Sequence, residues 1–211
     1  MAEADPPGAS GRKVFVVLLR ELRCLLKAVR KVAGDAGQQL SDEQIMSVAY
    51  HCLFYGVGPN SSHILKISLP EFDPCFVNAI EKELDDDDAK EKVRKERGFL
   101  YKPFEGHQFR LGHYYRHFYQ MVNYVDQQPD DLEINKYEYV KTMRAQLSTH
   151  EQAILLVNSR TPIGRNWWSN NLIVRYGLVK NIPPGFFEKS EVDMGKLFEP
   201  GYFEWEESRT R

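Results

Sequence analysis

Cysteine is scarce in this chain, and its spacing matches no common redox or metal site. The 211 residues include three cysteines, Cys24, Cys52 and Cys75, which form no CxxC pair and show no zinc-ligand spacing. A small, odd and dispersed set of this kind is typical of reduced thiols in a cytosolic protein. The sequence therefore argues against a disulfide framework and predicts a cytoplasmic location.

Long apolar runs and a strong net charge are also absent from the sequence. No segment reaches the roughly 18 apolar residues of a membrane span, and the run from Val14 to Leu19 stops at Arg20. The start, MAEADPPGASGRK, is acidic and rich in Pro and Gly, unlike a signal sequence, and predicts a disordered N-terminus over residues 1–12. A net charge of −2 gives no global field that would attract nucleic acid. We expect no membrane contact, and any nucleic-acid site must be a local patch.

The common signatures of hydrolases and nucleotide-binding enzymes are missing as well. The chain contains no GxSxG element, no phosphate-binding glycine loop and no papain-like setting around a cysteine. The sequence therefore predicts no cofactor and disfavours these types of nucleophilic hydrolysis.

What the chain does have is enough apolar material for a core and a strong helical pattern. Hydrophobic residues make up 42% of the sequence, and apolar positions recur at spacings of three and four. Ser41 with Gln44, and Ser148 with Glu151, have the spacing of helix capping boxes. The pattern predicts a mostly α, single-domain helical bundle of about six or seven helices.

The predicted organisation has three parts. A helical domain spans residues 13–187, between the disordered N-terminus and an acidic, irregular tail over residues 188–211. Residues 167–182 are predicted to form an amphipathic final helix, which the following Pro183 and Pro184 end. The segment from Ile64 to Leu69 has the composition of a short strand, although no partner strand is evident.

One predicted helix, FRLGHYYRHFYQMVNYVD over residues 109–126, carries most of the candidate chemistry. Aromatic and aliphatic residues surround most of it, so we expect it to be largely buried. A polar stripe nevertheless runs along it at spacings of three and four. The stripe consists of Arg110, His113, His117 and Gln120, with Arg116 beside it. A cationic stripe inside a buried helix costs free energy unless its members are paired or used in function.

Several blocks along the chain resemble a known family. LGHYYRHFYQMVNYVD, KYEYVKTMRAQLSTHEQAILLVNS and LIVRYGLVKNI follow one another at short intervals, and AYHCLFYGVGPNSSHILKISL precedes them. Together they are similar to the C-terminal signature of the putative phage abortive infection protein family, over roughly residues 40–185. The chain differs in lacking an apolar N-terminal segment and in having Thr149-His150 where an aromatic residue is expected. The resemblance implies a role in defence against phage in a bacterial cytoplasm.

The first functional hypothesis is metal-independent RNA cleavage of the HEPN type. Such helical enzymes are usually dimeric and carry an Arg followed, after four to six residues, by a His; Arg144 with His150 and Arg110 with His117 fit that spacing. Histidine supplies acid–base catalysis near neutral pH, and arginine grips a phosphate. The hypothesis includes RNA as partner and a homodimer. Its candidate catalytic residues are His113, His117, Arg110, Arg116, Arg144 and Glu151.

The first alternative is structural. The stripe is then a buried polar network that fixes the register of the helix through bonds to Glu151, Gln146, Tyr119 or backbone carbonyls. Buried polar groups are normally satisfied in this way, and such a network needs full pairing. We expect this network in preference to the catalytic site.

A second alternative is a metal site. His113 and His117 lie one helical turn apart, and Glu151 or His107 would supply a third ligand. No HExxH glutamate lies between the two histidines, and zinc needs a fuller set of ligands. We therefore predict no metal.

A second candidate surface lies near the C-terminus, where basic and aromatic residues alternate. Charge together with base stacking suits single-stranded nucleic acid. The residues assigned to this surface are Arg160, Arg165, Trp167, Trp168, Arg175 and Lys180. In the alternative interpretation, the two Trp residues anchor the last helix to the core and the charges are solvated.

The sequence thus predicts an antiphage effector of abortive-infection type that acts by RNA cleavage or RNA binding. The alternative is a non-enzymatic helical interaction protein that senses a phage protein through its aromatic surface. The structure can distinguish a catalytic site from a buried polar network. An Arg next to a His in an open cleft would favour catalysis, whereas a stripe that is enclosed and fully paired would favour the network.

Overall fold

The computed structural model describes residue 11, residues 13–58 and residues 61–207. Within this part of the chain, the secondary structure consists of 12 α-helices and one 3-10 helix, with no strand. The all-α fold class is thereby confirmed. The predicted disordered segment, residues 1–12, lies outside the described residues apart from Gly11.

The helices vary widely in length, and 7 of those described span nine residues or more. The sequence predicts about six or seven, and the additional helices are short ones of four to seven residues. In chain order they are α1 (Lys13–Asp35), α2 (Asp42–Tyr55), α3 (Ser62–Ser68), α4 (Pro74–Leu84), α5 (Asp87–Arg97), α6 (Gln108–Asp126), α7 (Lys136–Arg144), α8 (Thr149–Ser159), α9 (Asn166–Ser169), α10 (Leu172–Arg175), α11 (Met194–Leu197) and α12 (Glu204–Glu207), with the 3-10 helix at Asp130–Leu132.

The chain divides into two compact units, Met1–Phe109 and Arg110–Arg211. The first unit is built on α1, which packs against α2 and α4. The apolar stripe of α1 is buried throughout and consists of Phe15, Leu18, Leu19, Leu22, Leu25, Leu26 and Val29. Burying such a side chain contributes roughly 1.5–3 kcal/mol relative to leaving it exposed. The stripe therefore supplies much of the free energy that holds α1 against its neighbours.

Helix α2 begins and ends at residues that the sequence marks for these roles. The Ser41 hydroxyl accepts from the Gln44 N–H, and the Gln44 side chain accepts from the Ser41 N–H, which completes the predicted capping box. Gly56 ends the helix with a φ of 83°, and a Cβ there would clash with the backbone of Glu105. Glycine is required at this position by both conformation and contact.

A buried carboxylate fixes the loop over residues 98–107. Glu21 on α1 has no exposed surface. It accepts from the Phe104 N–H (2.7 Å) and the Tyr101 hydroxyl (2.5 Å), and its Oε2 lies 2.8 Å from His107 Nε2. Because an unpaired buried carboxylate would cost several kcal/mol, these partners are needed. The loop is fastened to α1 at three points as a result.

A buried cation ties other segments of the same unit together. Lys90 on α5 is 1% exposed. Its ammonium group donates to the Val57 carbonyl (3.2 Å), Asp85 Oδ1 (2.8 Å) and Glu105 Oε1 (3.0 Å). Three acceptors match the three donors of an ammonium group. Lys90 therefore links α5 to the end of α2 and to the loop that Glu21 holds.

Two local predictions differ from the structure. The segment from residue 64 to residue 69 is no strand, because residues 64–68 lie in α3, whose own turns satisfy their backbone groups. The helix predicted over residues 167–182 is divided into α9 and α10. Asn171 interrupts it with a left-handed conformation (φ 55°), which asparagine tolerates better than most residues.

The second unit contains α8, whose residues 151–159 are all buried. The segment predicted as an acidic, irregular tail includes α11 and α12 and is bonded to the rest of this unit. The Tyr202 hydroxyl donates to the Ile173 carbonyl (3.0 Å), and the Trp205 indole N–H donates to the Ile182 carbonyl (3.0 Å). Among the described residues, no helix combines the length and apolar composition needed to cross a membrane.

Candidate functional site

Helix α6 buries one face and exposes the other. Its buried residues recur at spacings of three and four and are Leu111, Tyr115, Phe118, Val122 and Val125. Tyr124 is 69% exposed and Met121 48% exposed. The prediction that this helix is largely buried is therefore wrong. Tyrosine and methionine contribute to an apolar count without having to be enclosed, because their side chains tolerate a partly wet setting.

Two tyrosines anchor the first half of α6 to α8 through Glu151. The Tyr115 hydroxyl donates to the Glu151 carbonyl (2.9 Å), and the Tyr114 hydroxyl donates to Glu151 Oε1 (2.7 Å). Glu151 Oε2 accepts from the Ser148 N–H (2.6 Å) in the predicted capping box. Both carboxylate oxygens of Glu151 thus bind donors inside the fold. These bonds favour a structural role for Glu151 over a catalytic one.

The second half of α6 is anchored by aromatic contacts and by its last residue. The Trp167 ring contacts those of Phe118 and Tyr119, at 5.6 and 5.0 Å between centroids. Asp126 Oδ1 accepts from Arg175 Nη1 (2.5 Å) and from the Tyr176 hydroxyl (2.6 Å). Burial, and then the hydrogen bond to the Asp126 carboxylate, raise the pKa of Tyr176 to about 12. The tyrosine therefore remains a neutral donor at physiological pH.

The opposite side of the helix is open to solvent. We call this surface the α6 face, and its exposed residues are His113, Arg116, His117, Gln120 and Tyr124. The two imidazole rings are 4.2 Å apart between centroids. Among the described residues, the His113, Arg116 and His117 side chains form no hydrogen bond or ion pair. The prediction of a sealed polar network is therefore wrong for these three residues. Arg110, in contrast, is half-buried and interacts within the fold.

Arg116 brings a positive charge to the α6 face, and α6 supplies no acid along that face to offset it. Residues 108–125 include no Asp or Glu, and Asp126 at the helix end is bound to Arg175 and Tyr176. Tyr124 is a member of the face that the predicted polar stripe does not include. Its spacing would have placed it there, since it follows Gln120 by four residues and His117 by seven.

Arg144, which the sequence assigns to the same catalytic set, is enclosed. It is 4% exposed, and its guanidinium group donates to the Tyr176 carbonyl (3.2 Å), the Gly177 carbonyl (3.0 Å) and Glu204 Oε1 (3.0 Å). Gly177 has a φ of 59°, and a Cβ there would lie 2.8 Å from Arg144 Nη1. His150 is half-buried, with its ring against Phe186. The guanidinium group is engaged inside the fold, which argues against phosphate binding by Arg144.

Within the part of the chain that the structure describes, no third ligand joins His113 and His117 to complete the metal site considered above. Among the residues that the structure describes, no group of three or more His, Cys, Asp or Glu side chains is placed to hold a metal ion. His113 and His117 are adjacent, but both oxygens of Glu151 already bind donors within the fold.

Several side chains of the second predicted nucleic-acid surface contact other residues of the fold. Trp167 is 2% exposed, so its ring is not available for base stacking. The Trp168 indole N–H donates to the Ser159 hydroxyl (2.8 Å), and the Arg160 guanidinium lies 5.1 Å from the Trp168 ring centroid. Arg175 pairs with Asp126 on α6. Of the remaining two members, Arg165 is exposed and Lys180 is half-buried.

Comparison with known proteins relates part of the chain to a described family. Residues 106–187 match the model of a family described as "Putative phage abortive infection protein", which confirms the sequence resemblance over this part of the chain. No curated protein and no solved structure gives a significant match. The matched residues include the whole of α6, α7 and α8.

Proposed function

We propose that this chain is a phage-defence protein of the abortive-infection type, active in the bacterial cytoplasm, that binds RNA through the α6 face. The family match supports the defence role, since it extends over residues 106–187. One observation carries the RNA assignment: the α6 face presents an arginine and two histidines to solvent without acidic partners on the same helix.

Each part of the α6 face has a use in RNA recognition. Arg116 offers a forked set of donors that suits phosphate oxygens. His113 and His117 add imidazole donors beside it, and Tyr124 supplies an exposed ring on which a base can stack. From His113 to Tyr124 the face extends about 16 Å along the helix. A single-stranded segment lying along α6 would meet charge first and the aromatic ring last.

The scaffold that presents the face is fixed at two places. Glu151 holds the helix near its start, and Asp126 joins its end to α10. Side chains on a fixed helix lose less freedom on binding than side chains on a mobile loop, which lowers the free-energy cost of complex formation. The anchoring residues are themselves enclosed or paired, so they serve the site by positioning α6.

The test compares the RNA affinity of the wild type with that of a variant that lacks three side chains of the α6 face. Fluorescence anisotropy with a labelled single-stranded RNA is recorded over a salt series, because phosphate contacts weaken steeply with salt. A variant combining His113→Ala, Arg116→Ala and His117→Ala should bind at least about tenfold more weakly, a loss of about 1.4 kcal/mol. Lys189→Ala, at an exposed lysine of the same unit, is the matched control and should bind like the wild type. Equal affinity of the triple variant and the control would refute RNA binding by this face.

RNA cleavage is the second candidate, favoured by the contact between the two imidazoles. Two imidazoles at this separation could act as general base and general acid on the 2′-hydroxyl and the leaving oxygen. Purified protein is incubated with total RNA in the presence of a chelator, beside His117→Ala and buffer alone. Cleavage that His117→Ala abolishes would establish the activity. Intact RNA in all three samples would exclude cleavage.

A further inference from the structure

A groove in the first unit combines an apolar floor with two cations. It encloses about 250 Å³ and runs between the start of α1 and the residues that follow α5. Its lining residues are Lys13, Val16, Val17, Arg20, Gly98, Leu100 and Tyr101. Leu100 is 59% exposed although it is aliphatic. The groove uses none of the residues of the α6 face and offers a different chemistry.

The loop wall of this groove is preformed. Tyr101 donates its hydroxyl to Glu21, which also accepts from the Phe104 N–H three residues further along. Both bonds end on a carboxylate that has no exposed surface. Opening the wall would therefore expose the buried Glu21 carboxylate or deprive it of its donors, which is unfavourable. A ligand entering here meets an existing surface and does not have to create one.

The spacing of the two cations sets the pattern of a ligand. Lys13 and Arg20 are exposed, and within the described residues neither forms an ion pair. They are seven residues apart on α1, two helical turns or about 10 Å. Val16, Val17 and Leu100 provide apolar surface in the same groove. A complementary ligand would carry two anions about 10 Å apart with an apolar group between them.

We propose that this groove binds an acidic amphipathic helix from a partner protein. Two glutamates separated by seven residues lie on one side of a helix at the spacing of Lys13 and Arg20, and leucines at the third and fourth positions between them would fill the apolar floor. A fatty acid or a single phosphate supplies an anion at one end of the groove and leaves the other cation without a partner. A membrane surface is flat at this scale and would not enter the groove. The partner is thus a helix with the pattern Glu-x-x-Leu-Leu-x-x-Glu.

The experiment uses a labelled synthetic helix with this pattern and alanine at the other positions, titrated with the full chain. Replacing both glutamates of the peptide by glutamine, or both leucines by alanine, should each weaken binding at least about tenfold. Lys13→Glu combined with Arg20→Glu should abolish binding of this peptide and create affinity for a peptide with lysines in place of the glutamates. Lys92→Glu, an exposed lysine on α5, is the control that should retain binding of the original peptide.

A milder variant keeps the proposal testable if charge reversal affects folding. Leu100→Ser changes an exposed side chain and should reduce peptide affinity about tenfold through lost apolar burial, with an unchanged circular dichroism spectrum. Identical affinity for the glutamate and glutamine peptides would overturn the proposal. So would binding to phosphatidylglycerol vesicles, or self-association of the chain, that Lys13 and Arg20 govern while the peptide fails to bind.

Discussion

Two cationic regions of the second unit, Arg144 and the α6 face, have similar residues but opposite surroundings. The Arg144 guanidinium donates to two backbone carbonyls and to Glu204. Its charge therefore stabilises the fold. Arg116 and its neighbouring histidines meet solvent. A guanidinium surrounded by internal acceptors stabilises the fold, whereas one without them is available to an outside anion. The acceptors, and not the cation, determine which role each residue has.

The same contrast exists in the first unit. Glu21 and Lys90 are enclosed and bonded to loops, while Lys13 and Arg20 line an open groove. We therefore expect substitutions to separate into two classes. Those at enclosed charges should lower the free energy of unfolding, and those at open charges should lower binding while leaving stability nearly unchanged.

The largest effect is expected at Glu21. Glu21→Ala removes the acceptor of the Tyr101 hydroxyl and of the buried Phe104 N–H, together with the contact to His107, and should lower the free energy of unfolding by about 4 kcal/mol. Urea denaturation followed by far-UV circular dichroism measures this loss. Glu96→Ala, at an exposed glutamate on α5, should stay within about 0.5 kcal/mol of the wild type. If the two variants are equally stable, Glu21 does not hold the loop in the way described.

The next effect is expected at Arg144. Arg144→Met keeps apolar volume but deprives two carbonyls and Glu204 of their donor, so the free energy of unfolding should fall by about 3 kcal/mol. Tryptophan fluorescence is a suitable probe, since the 3 tryptophans all lie in the second unit. Arg116→Met should be stable to within about 0.5 kcal/mol. Comparable destabilisation by both variants would remove the distinction between the two regions.

Local patterns explain which parts of the fold could be predicted from the sequence. The Ser41 and Ser148 capping boxes depend on residues three positions apart, and both are present as predicted. The buried stripe of α1 follows the same local spacing of three and four. Glu21 and Lys90 could not be identified in this way. The partners of Glu21 lie 80 to 86 positions away in the sequence. Only the tertiary fold brings them together.

The candidate site was predictable in composition but not in exposure. The spacing of His113, Arg116 and His117 places them on one side of a helix, as observed. The count of aromatic residues on α6 nevertheless overestimates its burial, because Phe109 is 87% exposed. The spacing between Arg144 and His150 also placed Arg144 in the candidate catalytic set. It cannot reveal that Glu204, 60 positions away, is the acceptor that engages its guanidinium group.

A smaller effect is expected when a single open charge is removed. Arg116→Ala should weaken RNA binding about fivefold, or about 1 kcal/mol, and should reduce the salt dependence by about 0.7 in slope, since one phosphate contact is lost. The measurement is anisotropy at several salt concentrations. Arg144→Met, assayed where it is folded, should bind RNA like the wild type. A larger loss for Arg144→Met than for Arg116→Ala would contradict the assignment of the open charges to binding.

The smallest effect is a pH dependence that comes from His51, whose imidazole is enclosed in the fold. Burial lowers the pKa of His51 below its ordinary value of 6.5. Below that value the unfolded chain binds a proton more readily than the folded chain does, so stability falls as the pH falls toward the folded pKa.

His51→Gln should reduce the decline in unfolding free energy between pH 7.5 and pH 5.5, a range chosen to span the ordinary histidine pKa of about 6.5. Glutamine can still donate to the Ser47 carbonyl, which the His51 ring contacts at 2.7 Å. His63→Gln, at an exposed histidine, should retain the decline. If His63→Gln reduces the decline as much as His51→Gln does, burial does not distinguish these histidines, and the contrast between enclosed and open groups fails at its most sensitive point.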